Sequence, residues 1–270
     1  MTLKIEDLEK FHHDGFFIQH DVFSKQEIDA LCKETEIEFS IDSPRRTLEE
    51  KSGVVRGVHG SQLSNKIFSR LPRLPRIINS AEKILNDKVY VHQFKINAKR
   101  AFVGEQWEWH QDYLFWHKED GMPYPKAVTC TIFLDDVHEF NGPLVFTPGG
   151  HRGKTVDALS KSDGWEKTLT AELKYSMDKQ TIKRWVENHG LIAPKGKKGS
   201  VLWFDSNVPH ASTPNISPSD RVIVLIAYNS VRNAVLPIEK PRPEWLTNRN
   251  FTPLTATLVD TILPASIEHA

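Results

Sequence analysis

A histidine and an aspartate two positions apart, His110 and Asp112, are the residues of this chain best suited to chemistry. On an extended segment, side chains two positions apart point to the same face, so the imidazole and the carboxylate are predicted to lie side by side. Such a pair supplies two of the three protein ligands in the facial triad that binds non-haem Fe(II). The pair therefore predicts most of a metal site.

A third ligand and a cosubstrate contact are predicted about a hundred residues further along the chain. His210 follows the apolar run 201–204 and a turn-like segment, and Arg221 opens the last strong apolar run. Three protein ligands on one face of an iron ion leave three positions open, which a bidentate 2-oxo acid and O2 can fill. The planar guanidinium of Arg221 would then pair with the far carboxylate of 2-oxoglutarate.

The His-x-Asp pair is a weak indication by itself, because a chain with 12 histidines and 35 acidic residues forms such pairs by chance. The joint pattern of this pair, a histidine on a turn and an arginine at the start of the next strand is far more specific. We interpret the other histidines near these segments as structural, because the triad already fills the protein's share of the coordination sphere. They are His92, His117 and His151.

Short apolar runs separated by Gly/Pro turns predict that β-strands position these residues. The runs do not alternate with helices, so a closed or two-sheet antiparallel fold such as a jelly roll is favoured over a parallel α/β fold. The predicted strands are 89–97, 127–134, 144–146, 201–204 and 222–228.

The chain is predicted to form one domain over residues 1–270. Residues 1–88 are its helical N-terminal part, residues 89–235 its β core and residues 236–270 a C-terminal extension. The segment at about 154–190 is charged and weakly helical, and it is interpreted as an insertion between two core strands.

Local patterns in the N-terminal part predict three helices and a long loop, and the first of these helices carries Ile5, Leu8 and Phe11 on one side. A capping box, in which a Ser side chain and a Glu side chain bond to each other's backbone amides, begins at Ser24. An apolar stripe at helical spacing runs from Ile77 to Leu85. Residues 42–64 are polar with little periodicity and are predicted to be a loop, a type of segment that often serves as a lid.

The composition argues against several classes of partner. The 35 basic residues balance the 35 acidic ones, which indicates neither a nucleic-acid surface nor a membrane-binding surface. Cys32 and Cys130 form no metal motif and no disulfide framework, which favours a reducing compartment. The N-terminus lacks an apolar signal stretch, and no segment approaches the length of a membrane span. We predict a cytoplasmic protein that acts on a small molecule, and the oligomeric state is left open.

These segments resemble ectoine hydroxylases of the phytanoyl-CoA dioxygenase family. The resemblance covers most of the chain, and it is strongest in residues 109–123, which look like the metal-binding signature of those enzymes. It is weakest in residues 154–190. The other similar segments are 14–16, 23–24, 91–99, 141–144, 148–151, 210–212 and Arg221.

The resemblance implies a mainly β fold: a double-stranded β-helix of the jelly-roll or cupin-like type, with N-terminal and flanking helices. It implies a 2-oxoglutarate-dependent dioxygenase that uses Fe(II), 2-oxoglutarate as cosubstrate, and O2. The implied iron ligands are His110, Asp112 and His210, and the implied 2-oxoglutarate contacts are Lys99, Ser212 and Arg221. The implied substrate contacts are Gln93 and Trp116, and the pocket walls are assigned to Phe94, Tyr113, Phe115 and Trp116.

The iron-binding segment departs from the ectoine hydroxylases at its most characteristic positions. Those enzymes usually carry Ser between the two ligands and Phe-Glu-Thr before the Trp-His pair, where this chain has Gln111 and Tyr113-Leu114-Phe115. Because these residues flank the ligands, we predict hydroxylation of a free amino acid or related zwitterion, with release of succinate and CO2.

Three alternatives to this prediction are weighed. The first is ectoine 5-hydroxylation by the same kind of site. The second is halogenation, which is disfavoured because that chemistry replaces the carboxylate ligand with halide, and this chain keeps Asp112. The third is a non-enzymatic β-sandwich binding module, which the complete ligand set and Arg221 disfavour.

Overall fold

The fold is described from a computed structural model over residues 3–156, 158, 164–170 and 172–263. Short 3-10 turns aside, these residues form ten strands and six α-helices. The strands are β1 (Phe16–Gln19), β2 (Arg46–Leu48), β3 (Val55–His59), β4 (Val89–Lys99), β5 (Trp107–His110), β6 (Ala127–Phe133), β7 (Leu144–Phe146), β8 (Val201–Asp205), β9 (His210–Ser212) and β10 (Arg221–Ser230). The helices are α1 (Ile5–Asp14), α2 (Lys25–Ser40), α3 (Lys66–Arg70), α4 (Pro75–Leu85), α5 (Asp112–Asp120) and α6 (Lys179–His189).

Two antiparallel sheets form the centre of the fold. The larger sheet has seven strands in the order β1-β8-β6-β10-β4-β3-β2, and the smaller has three in the order β5-β9-β7. Phe146 of the small sheet stacks on Phe16 and packs against Phe204, both of which belong to the large sheet. All five strands predicted from the apolar runs are present, and the sheets have the predicted antiparallel arrangement.

Helices cover the other face of the large sheet. The predicted apolar stripe on α4 is buried from Ile77 to Leu85 and packs in the same core cluster as Val224 and Ile226 of β10. This packing buries one face of β10 and β4 under the helices. The opposite face of those strands is therefore available to line a cavity.

The predicted capping box at the start of α2 is present. The Ser24 hydroxyl accepts a hydrogen bond from the Glu27 amide at 3.3 Å, and the Ser24 amide donates to the Glu27 carboxylate at 3.1 Å.

We expect Ser24→Ala to lower the free energy of unfolding by about 1 kcal/mol, because the first turn of α2 loses its capping acceptor. Urea denaturation measures the change. Ser24→Gly is the matched control and should cost only about a few tenths of a kcal/mol. Equal stabilities of the wild type and Ser24→Ala would contradict the capping role.

The loop predicted for residues 42–64 is wrong, because this segment forms the β2–β3 hairpin at the edge of the large sheet. A register shift between Thr47 and Leu48 interrupts the alternation of side chains, which is why the sequence shows little periodicity there. Gly57 permits close packing on β4, since a Cβ atom at this position would lie 2.8 Å from the Ile96 carbonyl oxygen.

The insertion and the C-terminal extension both reach the concave side of the sheets. The described parts of the insertion contain a 3-10 turn at Glu166–Leu169 and helix α6. Within residues 236–263 the structure contains no helix or strand, yet Arg242 and Leu246 from this segment line a cavity. Over the described residues, none of the helices combines the length and apolar character that a membrane crossing requires.

Candidate active site

The His-x-Asp pair lies at a junction between a strand and a helix. β5 ends at His110 and α5 begins at Asp112, so the predicted extended segment ends at Gln111 and Asp112 belongs to a helix. Gln111 between them keeps an extended backbone, with φ −120° and ψ 124°, and both neighbouring side chains still turn to one side. The antiparallel register of β5 and β9 then places His210 directly opposite His110.

The three side chains converge on one point. The Asp112 Oδ1 atom lies 3.6 Å from His110 Nε2 and 3.9 Å from His210 Nε2. One ligand atom from each residue lies within 4.8 Å of the other two. The two imidazole rings are tilted by 52° with centroids 4.2 Å apart, so they approach from different directions. This arrangement leaves room for one ion between two nitrogens and one carboxylate oxygen.

Hydrogen bonds fix the orientation of both imidazoles. His110 Nδ1 lies 2.7 Å from the Glu108 carbonyl oxygen, and His210 Nδ1 lies 3.0 Å from the Val208 carbonyl oxygen. A carbonyl oxygen only accepts, so each Nδ1 must carry the proton and each Nε2 presents a lone pair. Burial and, to a smaller extent, the neighbouring His110 lower the pKa of His210 to about 3. Neutral imidazoles with free Nε2 lone pairs are the form that ligates a metal.

The carboxylate of the group is held ionised despite its burial. Burial raises the pKa of Asp112, but its interactions with His110, His210 and Lys95 outweigh this effect and lower the pKa below its usual range. The rings of Phe146 and Phe204 pack against His210, and Phe115 packs edge-on against His110. The donor set and its apolar surroundings therefore suit a divalent ion with two N ligands and one O ligand.

The group lies in the wall of a cavity that is open to solvent on one side. Gln93, Lys95 and Asn97 of β4 all line it, as expected for alternate residues of one strand. From Gln93 to Asn97 the strand extends about 13 Å, at roughly 3.3 Å per residue. Because the charge of Lys95 acts on both Asp112 and His210, the ligand group lies beside the middle of this stretch.

Arg221 forms one end of the cavity. Its guanidinium is buried and donates to the Gly142 carbonyl oxygen at 3.1 and 2.9 Å and to the Asn97 side-chain oxygen at 3.0 Å. All of these acceptors are neutral, and no described carboxylate forms an ion pair with it. Burial lowers the pKa of Arg221 to about 9, which reports the cost of keeping this charge away from water. An anion bound here would offset that cost.

The structure places Lys99 outside the cavity, although it belongs to the same strand face by parity. Its ammonium donates to the carbonyl oxygens of Glu105, at 2.7 Å, and Thr213. Burial, together with the charge of Arg221, lowers the pKa of Lys99 well below its usual range. Lys99 thus ties two loops together, and Ser212 and Arg221 are the predicted cosubstrate contacts that line the cavity.

Arg242 forms the other end of the cavity. It donates to both carboxylate oxygens of Asp120, at 2.8 and 2.6 Å, and to the Thr168 hydroxyl at 3.1 Å. Asp120 also lies 3.0 Å from the ring nitrogen of His92, which neighbours Gln93 on β4. Arg242 is therefore at the Gln93 end of the strand, and Arg221 is at the Asn97 end.

The structure separates the predicted substrate contacts into two groups. Gln93, Phe115 and Trp116 line the cavity, and the Gln93 amide nitrogen is buried without a hydrogen-bond partner among the described residues. Tyr113 lies outside the lining and donates its hydroxyl proton to the Pro123 carbonyl oxygen at 2.8 Å. Phe94 belongs to the core behind the sheet, where it packs against Phe68.

Gln111, the residue that departs most clearly from the ectoine hydroxylases, faces away from the cavity. Its amide nitrogen donates to the Asn207 carbonyl oxygen at 2.7 Å, and its amide oxygen accepts from the Val156 amide at 2.8 Å. Gln111 joins the turn before His210 to the start of the insertion. Its difference from Ser is therefore a difference in loop packing rather than in the substrate pocket.

Sequence reasoning missed Lys95, Asn97 and Arg242. The first two share the parity of Gln93 on a predicted strand, so the period of two would have identified them. Arg242 belongs to a segment without periodicity, and its partner Asp120 is 122 positions away in the chain. No local pattern of the sequence points to that contact.

Comparison with known proteins assigns the family. The sequence profile of the family described as Phytanoyl-CoA dioxygenase (PhyH) matches residues 11–223, more than half of the chain. The chain belongs to this family. The family assignment predicted from the motifs is confirmed.

Individual proteins are similar to this chain over nearly its whole length. An L-proline trans-4-hydroxylase from Streptomyces griseoviridis is 36% identical over 256 residues, which cover 93% of this chain and 95% of that protein. An ectoine dioxygenase from Bordetella bronchiseptica is 34% identical over 259 residues, which cover 92% of this chain and 83% of that protein.

The crystal structure of a similar protein has the same fold. EctD from S. alaskensis, solved with 2-oxoglutarate and 5-hydroxyectoine, is 29% identical and superposes with a TM-score of 0.80 over 96% of this chain and 86% of that chain. The predicted double-stranded β-helix fold is confirmed.

Proposed function

We propose that this chain is an Fe(II)- and 2-oxoglutarate-dependent hydroxylase of a small polar substrate, a free amino acid or related zwitterion. Its products are the hydroxylated compound, succinate and CO2. The observation that carries the proposal is the position of His110, Asp112 and His210 in the middle of a cavity with a buried arginine at each end.

The ligand group supports the iron assignment, with His110, Asp112 and His210 as the three ligands. Their Nε2 lone pairs and carboxylate oxygen face one point, and each imidazole is locked by a hydrogen bond from its Nδ1. Iron with 2-oxoglutarate and O2 supplies the oxidising power that inserts one oxygen atom into an unactivated C–H bond. The chain itself binds and orients the substrate and 2-oxoglutarate, and it excludes water from the site.

The Arg221 end supports the binding of 2-oxoglutarate. A buried fork of donors whose protein partners are neutral oxygens matches a carboxylate in geometry and charge. Ser212 and Asn97 line the same end and add further polar contacts. We assign the far carboxylate of 2-oxoglutarate to Arg221 and Ser212.

The charges of the cavity support an anionic group on the substrate as well. Among the described lining residues Asp112 is the one carboxylate, whereas Lys95, Arg221 and Arg242 are cations. If Asp112 binds iron and Arg221 binds 2-oxoglutarate, Lys95 and Arg242 remain for the carboxylate of the substrate, and we assign it to Arg242, because a guanidinium presents a fork of donors that matches a carboxylate. The unpaired Gln93 amide and the rings of Phe115 and Trp116 complete a compact pocket with apolar walls and few polar anchors.

Two relatives support a zwitterion as the substrate, since one is named L-proline trans-4-hydroxylase and the other ectoine dioxygenase. Ectoine therefore stays the second candidate. The aromatic residue Phe115, which stands where ectoine hydroxylases carry Thr, lines the cavity and favours a free amino acid.

We expect free aliphatic amino acids, L-proline among them, to be hydroxylated with a higher kcat/KM than ectoine or an acyl-CoA. Their carboxylate reaches Arg242, whereas one methylene more or less changes the transition-state free energy by only about 1–3 kcal/mol, so several amino acids should react at graded rates. The measurement is succinate release with Fe(II), ascorbate and 2-oxoglutarate over the panel, with each product confirmed by mass. A kcat/KM for ectoine about tenfold or more above those of the amino acids would favour ectoine as the substrate. Such a ratio corresponds to about 1.4 kcal/mol in transition-state free energy.

A single catalytic domain over residues 1–270 and a cytoplasmic location stay predictions from the sequence. Cys32 and Cys130 are free cysteines, and Cys130 is buried.

A further inference from the structure

Helix α5 begins and ends with aspartates that belong to two different parts of the site, the metal position and the substrate end. Asp112, a proposed iron ligand, is its first residue, and Asp120, the partner of Arg242, is its last. The two positions are separated by about 12 Å along the helix axis, at roughly 1.5 Å per residue. One rigid element therefore carries both the carboxylate at the metal position and the carboxylate that holds the arginine of the substrate end.

The contacts of Asp120 are unusually complete for a buried carboxylate. Two of the three guanidinium nitrogens of Arg242 donate to it, the Thr247 hydroxyl donates to it at 2.8 Å, and a ring nitrogen of His92 lies within hydrogen-bond distance. The residue is only 4% exposed, so neither its charge nor that of Arg242 is screened by water. These bonds, together with the one from Arg242 to the Thr168 hydroxyl, hold the orientation of a guanidinium that lines the cavity.

We propose that Asp120 is a positioning residue, which fixes Arg242 so that the substrate's carboxylate binds at a set distance from the iron position. This inference rests on the proposed function. Asp120 touches neither substrate nor cosubstrate and acts through Arg242. The segment that supplies Arg242 and Thr247 lies beyond the matched range of the family profile, residues 11–223, so this connection ties a C-terminal segment to the catalytic helix.

Loss of this orientation should have two measurable consequences. A loosely held guanidinium binds a carboxylate less well, because it spends less time in the orientation that forms two parallel hydrogen bonds with the carboxylate. The target C–H bond is then also held less closely to the iron position, so part of the 2-oxoglutarate is converted to succinate without hydroxylation of the substrate. The affinity for 2-oxoglutarate itself should not change, because Arg221 is at the other end of the cavity.

The test compares the wild type with Asp120→Asn, which keeps the shape of the side chain and replaces one acceptor by a donor. Under anaerobic conditions, calorimetry of the Fe(II)- and 2-oxoglutarate-loaded protein gives dissociation constants for L-proline and L-prolinamide, and for the best amino acid of the panel and its carboxamide. We expect the wild type to prefer the carboxylate by about tenfold to a hundredfold. In Asp120→Asn this preference should fall to about threefold or less, and succinate formed per hydroxylated product should rise severalfold.

Glu27→Gln is the matched control, because Glu27 is likewise a buried carboxylate bonded to an arginine, Arg76, but it lies at the start of α2. It should lower stability without changing the carboxylate preference or the succinate ratio. If Asp120→Asn does not fold, Thr247→Val removes one hydrogen bond from the same carboxylate and should shift both quantities in the same direction by a smaller factor.

The outcomes separate the inference from the proposed function. The positioning role alone is overturned if the wild type prefers the carboxylate and the variants behave in the same way. In that outcome Asp120→Asn or Thr247→Val retains the full preference for the carboxylate over the carboxamide and the wild-type ratio of succinate to hydroxylated product. A wild type that turns over no member of the panel and binds none of them overturns the proposed function, and the inference with it.

Discussion

Replacing Asp112 by alanine should lower turnover on the order of a thousandfold or more, equivalent to about 4 kcal/mol in activation free energy. Asp112 is the one carboxylate among the described residues of the cavity wall, so no neighbour can replace its charge at the metal position. Without it, two neutral imidazoles remain, and a divalent ion in a buried site loses its compensating charge. His210→Ala should have a similar effect, because it removes the ligand that β9 places opposite His110.

Two measurements check this expectation. Succinate release with the best substrate gives the turnover, and the weak visible charge-transfer band of Fe(II) with 2-oxoglutarate under anaerobic conditions reports the metal site. Asp136→Asn is a suitable control, because Asp136 forms an exposed pair with Lys197 that contributes little to stability. Full turnover and full band intensity in both Asp112→Ala and His210→Ala would contradict the ligand assignment.

The residues that could be found from the sequence are those whose type carries the chemistry. His110, Asp112, His210 and Arg221 are informative as a set because few other combinations bind iron and a dicarboxylate. Their selection depended mainly on residue type and order along the chain, so it holds although Asp112 begins helix α5 instead of continuing an extended segment. β5 stops at His110 and α5 starts at Asp112, and neither boundary is marked by a glycine or proline.

The strands were predictable for a different reason. The runs that form β4, β6 and β10 are long and rich in β-branched residues, so tertiary contacts reinforce the local preference. The β2–β3 hairpin was missed because its strands are short and a register shift at Thr47 breaks the alternation on which the prediction depends.

The parts of the site that sequence could not reveal depend on contacts between distant segments. Arg242 reaches the cavity because Asp120 binds it across 122 positions, and the segment around it has no helix or strand. Lys99 has the parity of a cavity residue, yet Gly142 packs closely against its side chain and the Glu105 and Thr213 carbonyl oxygens hold its ammonium. The alternation of side chains along a strand predicts which face a residue is on. It does not predict where the charged end of a long side chain such as Lys99 lies.

The second large effect is expected at Arg221. Arg221→Leu removes a charged hydrogen-bond partner of 2-oxoglutarate, which should cost about 2–4 kcal/mol, or about thirtyfold to a thousandfold in affinity. The KM for 2-oxoglutarate should therefore rise far more than the KM for the prime substrate. Arg221→Lys keeps the charge but loses the fork of donors, so it should give an intermediate KM.

Lys99→Met provides the decisive comparison, since the resemblance to ectoine hydroxylases assigns Lys99 to 2-oxoglutarate and the geometry does not. Its ammonium bonds to two carbonyl oxygens outside the cavity, so the substitution should lower the free energy of unfolding by about 1–3 kcal/mol through two unpaired acceptors. The KM for 2-oxoglutarate should stay close to that of the wild type at a temperature where the variant is folded. A KM raised in Lys99→Met as much as in Arg221→Leu would instead assign the far carboxylate to both cations, because only a direct charge contact produces so large a change without loss of folding.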